Sequence, residues 1–344
     1  MTRLLADELI AAANECPDRV WVRFMDGLTH TYGEFAALVK NIASNMVSFG
    51  VVPGDRVALV VDNRSEFLLS WFAAHLAGCV AVPLNTALKG EGLDLVLHES
   101  TPRMVIVEDR YLPALSPQLE ALPAPPLVVV VGRRVAPALP FSALEQPTVS
   151  LDGNAAAVGV AKDKGRPCCI MYTSGTTGTS KGAGYCNGYH MKMGAVGRDN
   201  TRYGPEDTLY TCLPLVHECA LNTSVTPALL ARSGLAIGSR FSASRFWEEV
   251  AASGATATNL LGAMTTILLR RAPDVAERSH TVTRALVIRL RIDLAEGFTA
   301  SLDFGDDVFG GGFPDERFGV GVPVFGPGRD RGGEVAHAGE GAAA

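Results

Sequence analysis

YTSGTTGTSKG, residues 172–182, is the most informative stretch of the sequence. Its small residues let a backbone approach an anion closely, and Gly175, Gly178 and Gly182 supply the conformational freedom that this approach requires. Hydroxyl groups and backbone N–H groups can donate to phosphate oxygens, and Lys181 adds a positive charge suited to a polyphosphate. The pattern predicts a phosphate-binding loop, while composition alone leaves open a Ser/Thr/Gly-rich linker.

Two common nucleotide-binding motifs do not match this loop. A Walker A motif requires G-x-x-x-x-G-K-[ST], whereas Lys181 follows Ser180 and precedes Gly182. No G-x-G-x-x-G sequence follows a predicted strand. The apolar run CCIMYT (168–173) predicts a strand before the loop, and we expect a helix after it.

The surrounding chain alternates between strand and helix patterns. Residues 32–49 predict an amphipathic helix, with Thr31 and Glu34 as a capping box and Gly50 at its end. Strand-like and helical segments then follow in turn over residues 57–61, 65–77, 79–85, 91–100 and 104–109. This alternation predicts an α/β fold of layered, mostly parallel sheets with flanking helices.

One apolar stretch is long enough to be weighed as a membrane span. FLLSWFAAHLAGCVAVPL, residues 67–84, approaches the length of a spanning helix. However, His75 lies in its middle, Gly78 interrupts it and Pro83 ends it. We therefore predict a buried helix followed by a short strand, and no membrane span.

Composition narrows the functional classes. The chain has 344 residues with a formal net charge of −6, which does not indicate nucleic-acid or anionic-membrane binding. Hydrophobic residues make up 47%, enough for a large buried core. The seven cysteines form neither a C-x-x-C pair nor a zinc-ligand spacing. Their odd number, together with the lack of a signal-peptide pattern, predicts reduced thiols in a cytoplasmic protein.

Three regions are expected along the chain. Residues 1–130 are predicted to form a first α/β subdomain, and residues 131–290 a second one that carries the phosphate loop. The Pro-rich segment 112–126 is predicted to be a surface connection. Residues 291–344 are predicted to be a low-complexity, disordered tail, because residues 301–344 contain 12 of the chain's 36 glycines without an apolar period.

Residues 172–182 resemble the phosphate loop of the adenylate-forming enzymes, which include acyl-CoA synthetases, luciferases and peptide-synthetase adenylation domains. The family pattern is [YF]-T-S-G-[ST]-T-G-x-P-K-G, and the chain departs from it only at Ser180, where the family usually has Pro. Residues 241–264 resemble the segment leading to the acyl pocket, with a weaker likeness to crotonobetaine and carnitine–CoA ligases. The likeness covers about residues 5–290. Shorter matches on either side of the loop are Thr31-Tyr32, Gly54 to Ala58, Asn63, Gly78, Val82 to Asn85 and Pro214 to His217.

The resemblance implies an acyl-CoA ligase that forms an acyl-adenylate from a carboxylic acid and ATP and then transfers the acyl group to coenzyme A. ATP and coenzyme A would be substrates, with Mg²⁺ as the metal. His217 would line the meeting point of the carboxylate and the α-phosphate and, with Lys181, serve catalysis; the alternative for His217 is a buried structural histidine. The residues that would hold the phosphates are Thr173, Ser174, Gly175, Thr176, Thr177, Gly178 and Lys181. Those that would border adenine and the acyl chain, or simply pack in the core, are Asn259, Leu261, Gly262, Ala263 and Met264.

The family pattern is incomplete towards the end of the chain. The family's aromatic-Gly-x-Thr-Glu segment, whose Thr and Glu serve the α-phosphate and Mg²⁺, has no match in residues 285–344. The ribose-binding Asp and the small carboxy-terminal domain with its catalytic Lys also have no match. We therefore expect an incomplete ligase, and the acid, the activity and the oligomeric state stay open. The alternative is a non-catalytic nucleotide-binding or scaffold protein that retains only the phosphate loop.

Overall fold

The computed structural model describes residues 3–133, 137–145, 165–173, 181–271, 275, 277, 279–288 and, as strand backbone only, 307–311 and 323–325. The strands, in chain order, are β1 (Val20–Phe24), β2 (Thr29–Thr31), β3 (Arg56–Val60), β4 (Val80–Pro83), β5 (Met104–Glu108), β6 (Leu127–Val131), β7 (Leu139–Pro140), β8 (Pro167–Thr173), β9 (Lys181–Cys186), β10 (Thr208–Thr211), β11 (Gly234–Ile237), β12 (Ala257–Leu261), β13 (Arg284–Ile288), β14 (Asp307–Gly311) and β15 (Pro323–Phe325). The helices are α1 (Leu5–Glu15), α2 (Tyr32–Ser48), α3 (Ser65–Leu76), α4 (Gly90–Ser100), α5 (Leu112–Glu120), α6 (Ser142–Glu145), α7 (Asn187–Thr201), α8 (Glu218–Ala220), α9 (Thr226–Ala231), α10 (Phe246–Ser253) and α11 (Gly262–Leu269). A π-helical turn, Leu221–Val225, lies between α8 and α9.

The strands form two sheets. The first sheet has the order β7-β6-β5-β3-β4-β8-β9, and the second sheet has the order β15-β14-β13-β12-β10-β11-β1-β2. Neighbouring strands are parallel except in three pairs, β8–β9, β1–β2 and β14–β15, which are antiparallel. Parallel strands separated by helices confirm the predicted α/β architecture of layered, mostly parallel sheets.

Apolar side chains cover both faces of the first sheet. Val57 and Leu59 of β3 belong to a large core that also contains Leu209 of the second sheet. Ala58 and Val60, which alternate with them along the strand, belong to a smaller core formed with helices α4 and α5. Successive side chains of a strand point to opposite faces, so β3 is buried on both sides. Its continuous apolar sequence is the pattern expected of an internal parallel strand.

Helix α2 begins where the sequence predicts and ends one residue earlier than predicted, at Ser48. The backbone N–H of Glu34 donates to the Thr31 hydroxyl over 3.2 Å, and the backbone N–H of Thr31 donates to the Glu34 carboxylate over 2.9 Å. These two bonds form the predicted capping box. Gly50 follows the helix with a φ of +83°, a left-handed conformation that glycine adopts without strain.

The apolar segment 67–84 divides into the predicted helix and strand. Helix α3 ends at Leu76, Gly78 turns the chain with a φ of +71°, and β4 begins at Val80. Helix α3 is buried almost all round because it packs within the large core. Among the residues described, no helix is long and apolar enough to cross a membrane.

The Pro-rich segment 112–126 contains a helix, so its prediction as a surface connection was wrong. Helix α5 places Leu112, Leu115 and Leu119 in the smaller core, at the spacing of one helical face. Pro113 lies in the first turn, where a missing N–H removes no intrahelical bond. The apolar period therefore decides the local structure in spite of the prolines.

Each of the two sheets contains strands from both sides of the predicted subdomain boundary near residue 130. Strands β8 and β9 come from residues 131–290 but extend the first sheet beside β4. Strand β1 comes from residues 1–130 but pairs with β11 of the second sheet. Within residues 291–344, β14 pairs in parallel with β13 and β15 pairs with β14. The rest of that segment lies outside the described residues, where the disordered tail stays a prediction.

Candidate functional site

The predicted phosphate loop connects two antiparallel strands. Strand β8 ends at Thr173 and β9 begins at Lys181, and these residues pair across the hairpin, with Tyr172 paired to Gly182. The helix expected directly after the loop was therefore wrong, because β9 pairs with β8 over its whole length and α7 begins only at Asn187. The remaining predicted phosphate-binding residues lie outside the described part of the chain: Ser174, Gly175, Thr176, Thr177 and Gly178.

Gly182 allows an aromatic ring to pack at the base of this hairpin. A Cβ atom at position 182 would lie 3.3 Å from the Cε1 and Cζ atoms of Tyr172 and 3.1 Å from the Cγ2 atom of Ile170. The half-buried Tyr172 ring contacts the smaller core, and burial raises the pKa of its hydroxyl. The glycine thus has a packing role that is separate from any freedom it gives the loop.

Both sheets bring candidate residues to the carboxyl ends of parallel strands. In the first sheet the loop leaves the carboxyl end of β8, which runs parallel to β4. In the second sheet β10 and β12 are parallel neighbours, with Leu209 opposite Ala257. The segment that leads to His217 leaves β10 at the same edge as residues 261–264, which form the end of β12 and the start of α11. Open α/β sheets bind ligands at this edge.

Asn63 connects the two edges. It follows β3 of the first sheet, and its Nδ2 donates to the carbonyl oxygens of Leu213 over 3.0 Å and Gly238 over 2.9 Å. Its Oδ1 accepts from the backbone N–H of Leu215 over 2.8 Å. The side chain is buried, so it holds the segment before His217 against the first sheet. The sequence marked Asn63 as one of the positions that match the family, and it lies shortly after an apolar strand, but its partners could not be read from the sequence.

His217 lies at the start of α8, in a turn closed by its backbone N–H donating to the Pro214 carbonyl over 3.0 Å. Its side chain is exposed, which does not support the alternative of a buried structural histidine. The protein packed around the imidazole lowers its pKa by desolvation. A neutral imidazole at the carboxyl edge can donate or accept a hydrogen bond.

The residues predicted to border the acyl chain and adenine form two groups that differ in exposure. Leu261 and Ala263 are exposed and Gly262 is partly exposed, so these three can face a ligand. Asn259 and Met264 are buried. The Asn259 Nδ2 donates to the hydroxyls of two residues in the π-helical turn, over 3.0 Å in the case of Thr223 and at closer range to Ser224. Asn259 therefore acts on this edge by fixing the π-helical turn. Such turns are frequent at functional sites.

A two-sheet α/β fold in which the predicted phosphate loop leaves the carboxyl end of a parallel strand is typical of nucleotide-binding enzymes. A sequence model described as AMP-binding enzyme matches residues 9–310, and the chain belongs to this family. The match reaches β14, further than the predicted limit near residue 290. The likeness to carnitine and crotonobetaine ligases stays a prediction.

Curated relatives of this chain are ligases and transport proteins. It is 30% identical over 283 residues to the medium/long-chain-fatty-acid–CoA ligase FadD6 of Mycobacterium tuberculosis, covering 82% of this chain and 46% of the relative. It is 29% identical over 294 residues to long-chain fatty acid transport protein 1 of Rattus norvegicus, covering 84% of this chain and 45% of the relative. The chain thus spans about half the length of the curated relatives it matches.

Solved structures share the fold at lower identity. The anthranilate CoA ligase AuaEII, in complex with anthranoyl-AMP, superposes with a TM-score of 0.81 at 17% identity, covering 95% of this chain and 63% of that chain. The N-terminal domain of FACL13 from Mycobacterium tuberculosis superposes with a TM-score of 0.72 at 23% identity, covering 90% and 75%. These likenesses confirm the predicted fold class of an adenylate-forming enzyme's amino-terminal domain.

Proposed function

We propose that this chain carries the adenylate-forming part of an acyl-CoA ligase, which activates a carboxylic acid with ATP and passes the acyl group to coenzyme A. The observation that carries the proposal is the hairpin at the carboxyl end of β8. Its two strands pair Thr173 with Lys181 on either side of the Gly/Ser/Thr loop. The match of the AMP-binding family over residues 9–310 supports it.

The proposal assigns a part to four of the described residues or segments. Lys181 is exposed at the first residue of β9, where its ammonium group can meet the β- and γ-phosphates. Fixed donors aimed at oxygens that gain charge are the main source of rate in such transfers. His217 donates a hydrogen bond to the carboxylate or the α-phosphate, and Leu261 to Ala263 border the bound acid and adenine. Asn63 positions the backbone that leads to His217.

Mg²⁺, which the family resemblance implies, usually binds through one or two carboxylates together with the phosphates of the substrate, and the described residues include no group of three or more oxygen ligands for it. Within the described part of the chain, the one group of three or more His, Cys, Asp or Glu ligands is His75, Cys168 and His190. Mg²⁺ prefers oxygen ligands in octahedral geometry, and this group offers nitrogen and sulfur. The chemistry proposed here therefore rests on the chain's own side chains.

A non-catalytic nucleotide-binding protein is the second candidate. It is favoured by the lack of a match to the aromatic-Gly-x-Thr-Glu segment in residues 285–344. Such a protein would bind ATP through the loop and catalyse no exchange. A location in the cytoplasm stays a prediction under either function.

Calorimetric titration of ATP and of adenosine tests the role of the loop. Removing a charged hydrogen-bonding partner costs about 1.5–3 kcal/mol. We therefore expect Lys181→Ala to lower the affinity for ATP roughly 10- to 100-fold and to leave the affinity for adenosine unchanged. Lys192→Ala removes an exposed lysine of α7 and should change neither affinity. An equal loss of affinity for ATP and for adenosine in Lys181→Ala would show that Lys181 does not bind the phosphates.

Pyrophosphate–ATP exchange distinguishes the two candidate functions. The acids to offer include medium- and long-chain fatty acids and indoleacetate, which appear in the names of the relatives. Acid-dependent exchange by this chain supports a ligase. ATP binding without exchange for any acid supports the non-catalytic candidate.

A further inference from the structure

Three buried side chains from three separate elements converge away from the phosphate loop. His75 lies on α3, Cys168 is the second residue of β8, and His190 lies on α7. Their ring nitrogen and sulfur atoms lie within 4.8 Å of one another. His75 is 7% exposed, Cys168 5% and His190 0%. Two imidazoles and a thiol at this spacing form a set of ligands suited to a borderline or soft metal ion.

The hydrogen bond of His75 determines which of its nitrogens is free. Its Nδ1 lies 2.7 Å from the carbonyl oxygen of Trp71. A carbonyl can only accept, so Nδ1 carries the proton and Nε2 presents a lone pair. This Nε2 is buried and has no hydrogen-bond partner among the described residues.

A chain of hydrogen bonds determines which ring nitrogen of His190 carries the proton. The Glu218 carboxylate accepts from the Nδ2 of Asn222 over 2.7 Å. The Oδ1 of Asn222 therefore faces the Nδ1 of His190, at 2.7 Å, and that nitrogen must be the donor. The Nε2 of His190 is left as a buried lone pair with no partner within the described structure. Burial lowers the pKa of His75 and of His190, because desolvation disfavours the charged imidazolium.

These contacts are the arrangement found around metal-binding histidines. A ligating histidine almost always donates its other ring N–H to a carbonyl or carboxylate group, which fixes the tautomer and the ring orientation. His75 meets this condition through Trp71, and His190 meets it through Asn222, itself held by Glu218. Two buried Nε2 lone pairs without a hydrogen-bond partner, near a thiol that is only a weak donor, are otherwise an unfavourable arrangement, because buried acceptors lose their hydration.

A cavity of about 160 Å³ adjoins the group. Its lining includes His75, Cys168, Cys79 and Asn187, with the exposed Arg166 also contributing. Three protein ligands beside a small cavity leave a fourth position for water or another small ligand.

We propose that His75, Cys168 and His190 form a zinc-binding site whose fourth position opens to this cavity. In tetrahedral zinc sites the bonds to nitrogen and sulfur are about 2.0–2.3 Å, which places neighbouring ligand atoms about 3.3–3.8 Å apart. On binding, the ligand atoms would move from their present separations of up to 4.8 Å to these distances. The bound ion joins α3, β8 and α7, and the Cys168 thiol releases its proton to solvent on binding.

The test uses the whole chain, freed of metal with a chelator and then titrated with Zn²⁺ or Co²⁺ alone. We expect one ion per chain, with a thiolate-to-Co²⁺ charge-transfer band. X-ray absorption at the zinc edge should give one sulfur at about 2.3 Å and two imidazole nitrogens at about 2.0–2.1 Å. This measurement needs no variant, so it decides the proposal even where a substitution prevents folding.

Two cysteine substitutions test whether Cys168 is the thiol that binds the ion. Cys168→Ala should abolish the charge-transfer band and lower the zinc affinity at least about tenfold. Cys79→Ala is the matched control, because Cys79 is also buried and lines the same cavity; it should keep the band and the affinity. No retained zinc in the wild-type chain, a spectrum without sulfur, or equal affinity in Cys168→Ala would overturn the proposal. None of these results depends on ligase activity or on ATP binding.

Discussion

Replacing Asn63 with alanine should destabilise the whole fold and not only the candidate site. The substitution removes three hydrogen bonds, to Leu213, Leu215 and Gly238. Each is worth about 0.5–1.5 kcal/mol net, and a stranded buried group costs more. We therefore expect Asn63→Ala to lower the free energy of unfolding by about 2–4 kcal/mol, a large part of the 5–15 kcal/mol typical of folded proteins.

Urea unfolding followed by tryptophan fluorescence measures this loss. Asn63→Asp keeps the size of the side chain but turns an oxygen towards two carbonyl oxygens, so it should cost at least as much as alanine. Asn85→Ala is the matched control. Asn85 is exposed, and among the described residues its side chain accepts a local bond from the N–H of Ala87, so its loss should stay within about 0.5 kcal/mol. A native-like Asn63→Asp would show that the amide donors do not join the two sheets.

Three further changes test local features, each by urea unfolding. Thr31→Ala should cost about 1 kcal/mol by removing the capping box, whereas Thr31→Ser should retain it. Gly194→Ala should cost about 1–3 kcal/mol, because a Cβ there would lie 2.3 Å from Cγ2 of Thr226; Gly184→Ala, which meets open space, is its control. Burial lowers the pKa of His30 below its usual 6.5, so the unfolded chain binds the proton more readily. The stability that this neutral histidine contributes is present above pH 6.5 and is lost as the pH falls below it, and His30→Gln should flatten that dependence.

Local patterns predict the elements whose structure depends on neighbours in the sequence. The capping box of α2 and the Gly78 break before β4 rest on residues three to ten positions apart. Strand β9 could not be predicted this way, because its sequence KGAGYC has no apolar period and is held by pairing with β8. Helix α5 was not predicted for a different reason. Its prolines indicate a loop, although its leucines have the spacing of one helical face.

The candidate site likewise has some features that neighbouring residues in the sequence predict and others that they do not. The phosphate loop is recognisable because the residues that could contact one ligand are contiguous. The role of Asn63 depends on partners 150 and 175 residues away. The zinc ligands come from three elements, and their order His75, Cys168, His190 matches no short metal-binding spacing. Only the folded sheet brings such residues together.

The two proposed sites lie at opposite ends of one strand and should therefore act independently. Thr173, at the base of the loop, is five residues from Cys168, which is about 16 Å along β8 at 3.3 Å per residue. Substitutions further apart than about 10 Å, without shared partners, usually have additive effects within about 0.5 kcal/mol. We expect Lys181→Ala to leave zinc affinity unchanged, Cys168→Ala to leave ATP affinity unchanged, and the double variant to show both losses in full. A coupled loss, measured by titrating each ligand against all four proteins, would mean that a change passes between the two sites. It could pass along β8 or through the π-helical turn, whose Asn222 bonds His190 and whose Thr223 and Ser224 bond Asn259.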